Sequence, residues 1–150
     1  GSFISGSQIL IDFLINHCRP FIFTTAVPPF LLAGIEVALD ILNSNSERRE
    51  KLLLLSNRLR CQLRKEGLDT LQSIGPIVPV IIGQNDQAVQ VAHHLQKEGF
   101  DVRAIRPPTV APKTARLRIS VHADHSEKNI DQLATALLSI KDKIILQVQQ

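Results

Sequence analysis

Arg106-Pro107-Pro108-Thr109 sets a guanidinium and a hydroxyl three positions apart on backbone that two prolines stiffen. Each proline holds its own φ near about −65° and pushes the preceding residue toward extended conformations. A guanidinium held still offers a planar fork of donors, and that fork matches the two oxygens of a carboxylate. The plainer alternative is an arginine paired with a surface acid, an interaction of little energetic weight in water. Thr24-Thr25 is a second anion-facing candidate. Two adjacent hydroxyls after the apolar run Phe21-Ile22-Phe23 can meet a phosphate, and equally they can cap the next turn.

Other chemistry-bearing residues lead less far. His122-Ala123-Asp124-His125 carries two imidazoles, but one is expected at a strand end and the other in a turn. With no further ligands of the right kind nearby, we assign no metal. His93 and His94 are neighbours on an expected helix and diverge by about 100°. Arg48, Arg49, Lys51, Arg58, Arg60, Arg64 and Lys65 make residues 48–65 basic. A solvated helix face explains them more simply than RNA binding, since no aromatic platform interleaves them. There is no G-x-S-x-G, no P-loop and no G-x-G-x-x-G, so no catalytic residue is assigned.

The elements that must position these residues follow from periodicity and punctuation. The 150 residues are 44% hydrophobic and 21% charged with net charge +3, a globular balance that calls for neither nucleic acid nor membrane. Two cysteines without metal spacing make a reducing cytoplasm the expected compartment, and no signal peptide pattern opens the chain. Residues 1–7 read as a strand or loop. Ser7 caps a helix over 8–17, and residues 21–23 read as a short strand. Pro28-Pro29 starts a helix to about residue 42, apolar around much of its circumference. Ser44-Asn45-Ser46-Glu47 has capping-box spacing for a helix over 47–66, with Leu52, Leu55, Leu59 and Leu63 inward and Gly67 as its stop.

From residue 68 a compact unit is expected. Residues 77–82 form a strand whose Pro79 marks an edge or a bulge. Asp86 caps a helix to about 98, closed by Gly99, and a strand covers 102–105. Residues 116–123 alternate Leu117, Ile119 and Val121 with Arg116, Arg118, Ser120 and His122, a strand with one polar face. Ser126 caps a final helix with Ile130, Leu133, Leu137 and Leu138 inward. The order β-α-β-β-α implies an α/β (α+β) unit, a small antiparallel or mixed sheet with helices on one face.

Ordered motifs then carry a resemblance. F-I-S-G-S, R-P-F-I-F-T-T-A-V-P-P, G-P-I-V-P-V-I-I-G and G-F-D-V-R-A-I-R-P-P-T-V-A-P-K-T-A-R-L-R-I-S-V-H-A-D-H resemble the C-terminal part of the α-oxoamine synthases. These are pyridoxal-phosphate enzymes of the aspartate-aminotransferase fold. The R-P-P-T corner favours the biotin-pathway branch over glycine C-acetyltransferase and 5-aminolevulinate synthase. The resemblance implies a homodimeric acyltransferase condensing L-alanine with a pimeloyl thioester. Residues 1–30 would end the large cofactor-binding domain, 31–67 would link, and 68–150 would form the small C-terminal domain. It implies that Arg106 binds the amino-acid carboxylate and Thr109 lies in the substrate site. It implies further that Thr24 and Thr25 reach the cofactor phosphate of the neighbouring subunit.

Two departures qualify the match. The family usually has Pro-x-Gly where this chain has Ala111-Pro112-Lys113, so the turn after Thr109 is expected to differ. None of Lys51, Lys65, Lys97, Lys113, Lys128, Lys141 or Lys143 stands in the Schiff-base motif, and the ring-stacking His and ring-pairing Asp are not matched. The expectation is therefore a piece of the enzyme that is inactive alone. A free-standing ferredoxin-like module binding a small acid, and a basic-helix nucleic-acid binder, are the alternatives from other classes.

Overall fold

A computed structural model describes residues 4–144, with side chains as far as Lys141. The expected opening strand or loop over 1–7 thus lies partly outside the described residues, and residues 4–7 are irregular. Contacts divide the chain into two units, Gly1–Ser46 and Glu47–Gln150.

The first unit is helical. Helix α1 spans Gln8–His17, and the Ser7 hydroxyl accepts from the Leu10 N–H at 3.4 Å as expected of its cap. The run 21–23 is not a strand. Arg19–Ile22 forms a four-residue helix, α2, with Pro20 in its first turn, and Phe23 N–H donates to the Arg19 carbonyl at 3.0 Å. No described strand of this unit stands ready to pair with it, so the backbone satisfies itself locally. Helix α3 covers Pro29–Ser44, opening on a proline whose missing N–H costs nothing there. Phe30, Leu32, Val37 and Leu39 all remain at least half exposed, and none of the three helices holds a buried residue. Ser44 does not cap the next helix. Its hydroxyl turns back and donates to the Asp40 carbonyl at 2.7 Å.

The second unit holds the core. Helix α4 (Ser46–Lys65, its first residue falling in the first unit) buries Leu55, Leu59 and Leu63, with Leu52 half-buried against them. Gly67 ends it at φ +76°, a left-handed value that glycine reaches without a Cβ penalty. Strand β1 (Ile77–Gly83), helix α5 (Asn85–Lys97), strands β2 (Arg103–Ile105) and β3 (Ala115–Ser120), and helix α6 (Glu127–Ile144) follow. The sheet order is β1-β3-β2 with both pairs antiparallel. Pro79 sits on edge strand β1 and pairs in register with Arg118, so the edge alternative holds; the register slips only further on, between Ile81 and Gly83. Val78, Val80, Leu117 and Ile119 point to one face, where Val91 and Leu95 of α5 and Ile130 and Leu137 of α6 join the same core. Asp86 is not a cap: α5 starts one residue earlier, after Gln84, and Asp86 lies in the first turn, where its charge suits the helix dipole.

The basic stretch 48–65 is not simply a solvated face. Arg60 is buried at 3% exposure and donates to the carbonyls of Gly75 (2.6 Å) and Ile74 (3.2 Å) and to Asn57 Oδ1 (2.6 Å). Burial pushes its pKa down, as loss of water disfavours the cation. Arg64 reaches the buried Thr70 hydroxyl (2.7 Å) and the Leu71 carbonyl (2.6 Å). Arg58 grips Asp131 of α6 through two parallel bonds of 2.8 Å. The pattern 48–65 therefore ties α4 to its neighbours, which helical periodicity alone does not reveal.

Candidate functional site

Arg106 follows β2 directly, and the strand ladder decides where it stands. Ile105 pairs with Arg116 of β3, so the chain leaves the sheet edge at Arg106. The Thr109 N–H then donates to the Arg106 carbonyl at 3.0 Å and closes a four-residue turn around a cis Pro107–Pro108 bond. This brings the guanidinium-bearing residue and the Thr109 hydroxyl into one corner. Both are exposed, and the Arg106 side chain makes no hydrogen bond or ion pair among the described residues. The surface-acid alternative is thus not realised within the described residues, and the fork remains available to an incoming anion.

The segment after Thr109 is held from within. The Thr114 hydroxyl donates to the Ala111 carbonyl at 2.7 Å, and Arg116 donates to Thr114 O and Oγ1, both at 3.1 Å. Lys113 takes φ +62° in this turn, a left-handed value unusual for a residue with a side chain. The turn shape that suits glycine is therefore present without the glycine, at a cost of about 1–2 kcal/mol for a left-handed non-glycine residue.

Thr24 and Thr25 belong to the first unit, in irregular exposed chain between α2 and α3. Neither hydroxyl has a partner among the described residues, so neither acts as the cap that local patterning allows. Thr24 lines a cleft of about 740 Å³ whose other walls, among them Ile11, Leu14 and Phe21, are apolar. Two free hydroxyls fit an outer contact to a phosphate. They do not by themselves hold a pyridine ring.

The His122 and His125 rings stand edge to face at 5.5 Å, and no group of three potential metal ligands gathers among the described residues. No described helix is long and apolar enough to cross a membrane. One feature of the sheet escapes sequence reading. Alternation puts Arg118 on the polar face of β3, but only the register shows Arg103 directly opposite it.

A profile of the aminotransferase class I and II family matches residues 1–137. The chain belongs to that family. A Geobacillus kaustophilus protein provisionally named 8-amino-7-oxononanoate synthase is 48% identical over 131 residues, covering 87% of this chain and 34% of the relative. The 8-amino-7-oxononanoate synthase of Marinobacter nauticus is 42% identical over 137 residues, covering 91% and 35%. The chain thus spans about a third of the length of the curated relatives it matches. Among solved structures, the Sphingomonas wittichii serine palmitoyltransferase superposes with a TM-score of 0.80 at 27% identity, over 91% of this chain and 35% of that one. An SPT structure holding PLP gives 0.80 at 26%, over 89% and 34%. These agree with the α/β fold and with the resemblance carried by the ordered motifs.

Proposed function

We propose that this chain is the carboxylate-recognising portion of a pyridoxal-phosphate-dependent acyltransferase of the 8-amino-7-oxononanoate synthase kind, condensing L-alanine with a pimeloyl thioester in biotin formation. One observation carries the reading: Arg106 stands exposed and unpaired at a proline-stiffened corner that also holds Thr109. The names of the relatives favour this branch over glycine C-acetyltransferase or 5-aminolevulinate synthase. The enzyme would act as a cytoplasmic homodimer. Residues 1–30 would close the large domain, 31–67 would link, and 68–150 would form the small domain.

Arg106 binds and orients the amino-acid carboxylate through two parallel charge-assisted bonds. Thr109 offers its hydroxyl beside that carboxylate. Thr24 and Thr25 donate to the phosphate of the cofactor held by the neighbouring subunit. Pyridoxal phosphate, when bound, supplies the electron sink for carbon dioxide loss and acyl transfer. None of this chain's lysines is assigned the Schiff-base role, so the chain alone should leave no borohydride-trappable cofactor adduct.

The test is a spectral titration of the full-length enzyme with L-alanine and with cofactor. Losing two bonds of about 1.5–3 kcal/mol each, Arg106→Ala should weaken alanine binding by roughly one to three orders of magnitude after partial compensation by water. Cofactor affinity should hold. Arg106→Lys should recover only part, because an ammonium cannot reproduce the fork. Thr24→Ala should loosen the cofactor and spare alanine. An Arg106→Ala enzyme that binds alanine normally and loses cofactor would sink the assignment.

A further inference from the structure

The loop that carries Arg106 is fastened at its far end by another arginine. Arg116 sits on the central strand β3, opposite Ile105 of β2 and Ile81 of β1, so the three share one face of the sheet. It is half-buried there and makes no ion pair among the described residues. Its guanidinium turns to the loop 106–114 that joins β2 to β3. Nε donates to the Thr114 carbonyl and a terminal nitrogen to the Thr114 hydroxyl, both at 3.1 Å. That hydroxyl in turn donates to the Ala111 carbonyl at 2.7 Å.

Residues 111–114 form the turn on which this brace acts. The Thr114 N–H donates to the Ala111 carbonyl at 3.2 Å, closing a four-residue turn with Pro112 second and Lys113 third. Lys113 stands at φ +62°. A proline at the second position and a left-handed third residue are the marks of a type II turn, whose third position favours glycine. Lysine gains nothing locally from that conformation, because its Cβ crowds the following carbonyl oxygen. The hold comes from outside the turn, through Arg116.

We infer that Arg116 is a positioning residue for the corner formed by Arg106 and Thr109. The inference rests on the proposed carboxylate role of Arg106 and adds what holds that residue's loop in place. Ile105 and Arg116 pair in the ladder, so the sheet anchors the start of the loop. The relay from Arg116 through Thr114 to Ala111 anchors its end. Capture of a carboxylate by a fork tolerates only about 0.5 Å of displacement, and a misplacement of about 1 Å costs on the order of 10²-fold. Without the relay Lys113 is free to return to negative φ, which re-aims residues 109–111. Glycine at this position would make the relay dispensable, since glycine reaches positive φ without a Cβ penalty.

The experiment pairs hydrogen exchange over residues 106–114 with alanine titration and steady-state kinetics of the full-length enzyme. Arg116→Gln should speed amide exchange in that loop and weaken L-alanine binding by roughly three- to tenfold. The KM for alanine should rise to match, with kcat and cofactor affinity little changed. Thr114→Val removes the relay hydroxyl, should do the same, and serves if the first variant folds poorly. Lys113→Gly alone should leave alanine binding unchanged. Added to Arg116→Gln, it should restore both exchange protection and KM, a rescue that a residue merely supporting the fold would not show. Unchanged loop exchange in Arg116→Gln overturns the inference, and so does a KM rise that Lys113→Gly fails to relieve. Arg106→Ala keeps the two readings apart: if it spares alanine the carboxylate assignment fails, whereas loop exchange judges the brace by itself.

Discussion

The two units differ in one physical respect. Helices α1, α2 and α3 are apolar and bury nothing, with Ile9 83%, Phe23 77% and Phe30 73% exposed. In the second unit, Leu59, Leu63, Val78, Val80, Leu95 and Leu117 are fully buried, and its arginines tie helix to helix and helix to loop. A domain is stable when it removes enough apolar surface from water to offset chain entropy. The second unit does so from its own residues. The first has the composition of a core without the core, and a patch of that size marks a surface awaiting cover. The difference separates what this stretch can specify alone from what depends on contacts beyond it.

The comparison breaks most visibly at Leu59. Leu59→Ala should destabilise the second unit by about 2–5 kcal/mol, the range for emptying a buried leucine site, measured by urea unfolding. Ile9→Ala in the first unit should hardly move the same transition while reducing self-association in sedimentation. Limited proteolysis should cut residues 1–45 well before 68–140. A protease-resistant first unit, or a monomer at high concentration, would contradict the contrast.

Arg60 sharpens it. Arg60→Ala strips the partner from the Gly75 and Ile74 carbonyls and should cost about 1–3 kcal/mol, the penalty of leaving polar groups unpaired. Were the residue merely solvated, thermal unfolding would show no change. Gly99 should have a smaller effect. It closes α5 at φ +90° with open space where a Cβ would sit, so Gly99→Ala meets backbone strain of about 1 kcal/mol rather than a clash.

The smallest effect belongs to Asp131. Hydrogen bonds from Arg58 and Gln62 pull its pKa from 3.8 to about 2. A carboxylate more acidic folded than unfolded contributes stability above its unfolded pKa, and that contribution fades as pH falls toward about 2. Asp131→Asn should therefore remove a small stability increment present at neutral pH, and the gap to the native protein should close as pH falls from 3.8 to about 2, which flattens the acid limb. An unchanged acid limb would show that the pair is too well solvated to matter.

Local patterning was enough for much of the second unit. The alternation of Leu117, Ile119 and Val121, Pro79 on an edge strand, Gly67 and Gly99 as stops, and Ser126 opposite Asn129 at the start of α6 all rest on residues within a turn or strand of one another. Such signals need only the chain's own period and stereochemistry. The Arg106-Pro107-Pro108-Thr109 corner was legible for the same reason, because proline stiffness is local. The run 21–23 was not: apolar and β-prone residues become a strand only if another strand comes to pair, and none of the described residues of the first unit does. Nor could spacing tell a buried Arg60 from a solvated Lys65, since both sit on one helix and only packing against residues 74–75 separates them. The juxtaposition of Arg103 with Arg118 required the ladder register, a relation between residues 15 positions apart. Period and stereochemistry thus settled most elements of the second unit and the stiff corner, whereas partners distant in sequence decided which charges are buried, which are paired and which are left free.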